Sequence, residues 1–114
     1  MILIDGALCY RGMGQSGKLA NLMAQRFTVF TYDRRGRGAS SDTAPYAVER
    51  EVEDIEALLS EAGGTGSVWG ISSGAILALE AANRLKGIKK LALHEPPFIV
   101  DDSRSTTEND WVQI

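Results

Sequence analysis

Apolar residues gather in four short runs, at 2–4, 27–32, 67–71 and 90–93, each rich in strand-forming side chains and each followed by glycine, proline or polar residues. Runs of that length and punctuation predict β-strands. Between them the apolar period lengthens to that of a helix, at 18–26, 48–62 and 73–86. The middle segment is the clearest. Val48, Val52, Ile55, Leu58, Leu59 and Ala62 share one face, and Gly63 and Gly64 stop it. Alternation of helices with strands that read apolar on both faces implies a parallel sheet covered by helices and joined by right-handed crossovers. The fold class is therefore α/β, with a parallel four-stranded sheet. From residue 101 the composition turns to DDSRSTTENDWVQI, polar apart from Trp111, Val112 and Ile114. The expected organisation is a core over 1–100, followed by a loop or the start of a lid or cap element over 101–114. Neither an internal repeat nor a low-complexity segment interrupts it.

Composition narrows the partners more than the fold. The 114 residues are 44% hydrophobic, 24% charged and 7% aromatic, the profile of a single soluble globular domain. A net charge of -3 speaks against a nucleic-acid or anionic-membrane binder, since either gains its affinity from basic excess. Arg34, Arg35 and Arg37 are the one local exception. A single cysteine, Cys9, allows no internal disulfide and no metal-ligand cluster, and so points to a reducing compartment, the cytoplasm. The opening MILIDGALCYRG has no basic leader, and no stretch approaches the roughly 20 apolar residues of a membrane helix.

Three glycine motifs compete for the chemistry. Gly12, Gly14 and Gly17 form GxGxxG between a strand and a helix, and Asp33 ends the next strand where a ribose-binding acid would stand. The residues 5–11 that follow Ile4 make a long gap for the tight turn that a dinucleotide site needs. The same stretch, at residues 12–18, reads GxxxxGK, with Lys18 in place and Leu19 where a phosphate loop carries a magnesium-binding hydroxyl. The bland reading of both is a glycine-rich loop opening an amphipathic helix.

The third motif is WGISSGA, in which Gly70, Ser72 and Gly74 form GxSxG between the strand 67–71 and the helix 73–86. A sharp strand-to-helix turn with a strained serine needs small residues two positions to either side, and glycine meets that need at both. Ser72 is then a candidate nucleophile, and the amide of Ser73, at the helix N-terminus, a candidate oxyanion donor. The competing reading is a serine that merely caps the helix, a common role that does not demand flanking glycines.

At this point the chain resembles the α/β-hydrolase superfamily, through four blocks in order. ILIDGA resembles that family's strand and oxyanion turn, with Asp5 where histidine usually stands and Gly6 retained. The resemblance makes the amide of Ala7 the second oxyanion donor. FTVFTYDRRGRGAS is similar to the strand and DxRGxGxS turn, matched by Asp33, Arg35, Gly36, Gly38 and Ser40, and gives the arginines a structural role at the mouth of the site. WGISSGA is similar to the nucleophile elbow. KKLALHEPP is similar to the strand after it, ending in Glu95 and two prolines.

The resemblance implies the strand order 2-1-3-4 and an esterase-like hydrolase that takes a small acyl substrate and needs no cofactor or metal. The family's acid and histidine follow later strands, and nothing in this sequence matches them, so the chain is expected to be an incomplete module of weak or no activity. A serine without a base turns over little. His94, the only histidine, ends the strand expected beside the elbow. Strand-end histidines usually serve packing, so His94 is the weaker candidate for a base, and Glu95 would face away from it. Cys9 reads as a small filler near the oxyanion turn. The strand 90–93 would be left at a sheet edge, which invites self-association.

Overall fold

The computed structural model describes residues 1–6, 16–35 and 47–97. Its elements, in order, are β1 (Ile2–Ile4), α1 (Ser16–Met23), β2 (Phe30–Thr31), α2 (Val48–Glu61), β3 (Gly66–Ile71), α3 (Ser73–Arg84) and β4 (Ile88–His94). All strand pairs are parallel, and the sheet order is β2-β1-β3-β4, as the sequence pattern and resemblance imply. Ile2, Leu3 and Ile4 oppose Val68, Trp69 and Gly70, and Gly70 and Ile71 in turn oppose Leu93 and His94. The C-terminal ends of β1, β3 and β4 therefore finish level with one another, and the turns that leave them meet at one edge of the sheet.

The core lies between the sheet and two helices. Ile2 and Ile4 of β1 and Val68 of β3 pack with Val52, Ile55 and Leu59 of α2 and with Leu77, Ala78 and Ala81 of α3. The helical period of α2 delivers its buried side chains to that face, and the alanines of α3 let its backbone come close to β3. Leu3 points to the opposite face by strand alternation and is just as buried. Gly63 and Gly64, both at positive φ, end α2, and the amide of Gly64 returns to the carbonyl of Leu59 at 2.7 Å.

One element is shorter than its apolar run suggests. Residues 27–32 read as a strand, but only Phe30 and Thr31 pair. The amides of Arg26 and Phe27 both bond the carbonyl of Met23, so these residues close the last turn of α1 instead of entering the sheet, and Phe27 is left exposed. At the other edge β4 runs longer than expected, and its Ala92, Leu93 and His94 are exposed. Among the described residues no helix is long and apolar enough to cross a membrane. The expected lid segment 101–114 lies outside the described residues.

Candidate functional site

Ser72 occupies the single residue between β3 and α3, with φ 55° and ψ -125°. Positive φ on a residue with a side chain is strained, by about 1–3 kcal/mol, and persists only where the surroundings impose it. Here they do. The Ser72 amide donates to the carbonyl of His94 at 3.0 Å, and its carbonyl accepts from the amide of Ala75 at 2.9 Å. The reversal is so tight that a Cβ on Gly70 would strike the carbonyl oxygen of Gly74 and come within 2.8 Å of the Ala75 Cα. A Cβ on Gly74 would strike the carbonyl of Ile4 and stand 2.5 Å from that of Asp5. Only glycine fits at either place. The competing role is absent, since the Ser72 side chain makes no capping hydrogen bond.

The turn after β1 lies against this reversal. A methyl group on Gly6 would sit 3.6 Å from Cβ of Ser72 and 4.0 Å from its Oγ. Among the described residues, the amides of Ser73 and Gly74 at the start of α3 have no backbone acceptor, the usual condition of a helix N-terminus and a source of local positive potential. Ala7, the other expected donor, lies outside the described residues, as do Cys9 and Arg37.

Beneath both turns is a buried arginine. Arg34 is 1% exposed and forks onto Glu51 of α2, from Nε to Oε1 at 2.8 Å and from Nη2 to Oε2 at 2.7 Å. Its Nη1 donates to the Asp5 carbonyl at 3.2 Å and to Oγ of Ser73 at 3.1 Å. Arg35 makes a similar fork onto Asp54 of α2, nearer the surface. Both guanidiniums are thus tied to α2, while the loop that the arginines are expected to shape lies outside the described residues. Glu51 is not among the residues the sequence singles out. Its signal is its spacing, three residues after Val48 and four before Ile55, which puts a carboxylate on the apolar stripe of α2.

His94 touches the turn through its backbone. Its carbonyl holds the Ser72 amide, while its ring stacks on Trp69, centroids 6.4 Å apart and planes at 21°. No hydrogen bond joins the His94 ring to Ser72 or to Glu95 among the described residues. Of the residues of the nucleotide-binding motifs, Gly17 and Lys18 lie within α1, Asp33 is buried just past β2, and Gly12 and Gly14 fall outside the described residues. Among the described residues no group of three or more His, Cys, Asp or Glu side chains is arranged to hold a metal ion.

Proteins of similar sequence and fold are known. An uncharacterised hydrolase of Bacillus subtilis (strain 168), YraK, is 34% identical over 97 residues, covering 78% of this chain and 36% of its own length. The crystal structure of an alpha/beta hydrolase from Sphaerobacter thermophilus is 50% identical and superposes with a TM-score of 0.88, over 97% of this chain and 42% of that one. A hydrolase from Pseudomonas aeruginosa PA01 is 30% identical, with a TM-score of 0.70 over 81% of this chain and 35% of that one. The chain thus spans well under half the length of these relatives. The sequence profile of the Alpha/beta hydrolase family matches residues 5–112, nearly the whole chain, and with the sheet order and the turn at Ser72 it identifies this chain as a member of the alpha/beta hydrolase family.

Proposed function

We propose that this chain is the nucleophile-bearing module of a serine hydrolase that cleaves esters or related small acyl compounds without a cofactor. The observation that carries the reading is the backbone of Ser72: positive φ at the one residue between strand and helix, enforced by Gly70 and Gly74, with no capping bond to account for it. In this reading Ser72 Oγ attacks the acyl carbonyl and loses its proton to a base. The amides of Ser73 and Ala7 hold the oxygen that gains negative charge, the alcohol departs with the proton, and water hydrolyses the acyl-serine.

We assign the base to a group outside this sequence. The only histidine is His94, and its ring is engaged with Trp69. A cytoplasmic setting, consistent with one cysteine in the chain, belongs to the same reading. The test is covalent capture of Ser72 by a fluorophosphonate, with imidazole added as a substitute base and Ser72→Ala as the control. A mass increment that depends on Ser72 and grows with imidazole supports the reading. A folded chain that takes no label at any imidazole concentration overturns it.

A further inference from the structure

We propose that Arg34 is the positioning residue of this site: its buried guanidinium locks the end of β1, at Asp5, to the first residue of α3, and so holds the Ser73 amide donor in place beside Ser72. The proposal rests on the reading of Ser72 as nucleophile.

One planar group reaches three elements. The fork onto Glu51, at 2.8 and 2.7 Å, fixes the guanidinium plane relative to α2. The bond at 3.2 Å to the Asp5 carbonyl fixes the Asp5–Gly6 peptide, and Gly6 lies against Ser72. The bond at 3.1 Å goes to Oγ of Ser73, whose own amide is the donor. Oxyanion donors contribute most when they are held at the right spacing before the charge develops, so that nothing reorganises during the reaction. A clamp between Asp5 and Ser73 holds the Ser73 donor in that way.

Stability alone does not explain the arrangement. A buried ion pair can commonly be replaced by apolar residues of similar volume without loss of stability. An apolar pair in this place could fill the space between α2 and the sheet, but it could not bond the Asp5 carbonyl and the Ser73 hydroxyl together. Arg34 touches no reacting atom in this account. It acts through the two turns.

The test uses the full chain with two variants. Arg34→Met/Glu51→Leu removes both buried charges and keeps their volume; Ser73→Ala removes one bond and leaves the ion pair in place. Each is labelled at Ser72 with the fluorophosphonate in imidazole, resolving the maximal rate kinact from the binding constant KI, and backbone order parameters of Gly6 and Ser73 are measured by NMR. The double variant is expected to unfold cooperatively and to lose at least ten-fold in kinact with KI within two-fold. The order parameters should fall from the rigid range near 0.85 toward about 0.6 at Gly6 and Ser73 while Val68 stays rigid. Ser73→Ala is expected to lose about three-fold in kinact, and it decides the matter if the double variant does not fold. Unchanged order at Gly6 and Ser73 together with unchanged kinact in a folded variant overturns the proposal. If the parent chain takes no label, the reading of Ser72 fails, and the order parameters alone still decide whether Arg34 holds the turns.

Discussion

Gly74 rests directly on the backbone of Asp5: a Cβ added to it would stand 2.5 Å from the Asp5 carbonyl oxygen. That contact ties the start of α3 to the end of β1 and leaves no room for the smallest side chain. The obstacle is backbone on both sides, so it cannot rotate away. Gly74→Ala and Gly70→Ala should each destabilise the chain by at least about 2 kcal/mol, read as a lower midpoint in urea at unchanged m-value, because overpacking against a rigid backbone is relieved only by moving it.

The strain at Ser72 makes an opposite prediction. Its φ of 55° is tolerable for glycine and unfavourable for serine. Ser72→Gly should therefore raise stability by about 1 kcal/mol while abolishing fluorophosphonate labelling, the pattern of a site where conformation is held against stability. Equal or lower stability of Ser72→Gly, measured by urea unfolding beside Ser72→Ala, would speak against strain at this residue.

Buried and exposed charges should behave differently. Glu51→Ala leaves Arg34 buried without the carboxylate it forks onto, and about 3–5 kcal/mol of stability should be lost. Arg84 bonds Glu49 at 3.3 Å at the surface, and Arg84→Gln should not shift the urea midpoint measurably at pH 7. The Glu49 carboxyl is nonetheless held below its ordinary value, first by a backbone hydrogen bond and then by Arg84. Its small contribution is present above the unfolded-state value and fades as pH falls through the lowered one. Arg84→Gln should raise the Glu49 pKa in an NMR titration without restoring it fully, since the backbone bond remains.

If the His94 ring only packs on Trp69, its loss should not affect Ser72. His94→Gln keeps the backbone carbonyl that holds the Ser72 amide. Labelling of Ser72 in this variant should stay within two-fold of the parent with imidazole and without it. A ten-fold drop without imidazole that imidazole makes good would instead make His94 the base.

The parts of the fold that follow from periodicity were readable in the sequence. The stripe from Val48 to Ala62 became α2, the run 2–4 became β1, and the alternation of strands and helices gave a parallel sheet. The run 27–32 shrank to Phe30–Thr31 because the end of α1 takes Phe27, a competition between hydrogen bonds that apolar spacing cannot register. At the site, GxSxG between a strand and a helix located the tight turn at Ser72, since the spacing of small residues encodes the tightness of the turn. The buried clamp was not readable. The DxRGxGxS pattern points to Arg35, yet Arg34 is the residue that turns inward, because the direction of each side chain is set by how the chain leaves β2. Glu51 was hidden for a related reason: a carboxylate on an apolar stripe looks like an interruption until its arginine is known.

The most direct test of the central claim is intact-mass analysis of the folded chain after exposure to a fluorophosphonate, across a series of imidazole concentrations, with peptide mapping of the adduct. The expected result is one phosphonyl group per chain, located on Ser72, formed slowly without imidazole and at least ten-fold faster with it, and absent from Ser72→Ala. Label on another residue, or no label on Ser72 at any imidazole concentration, would contradict it.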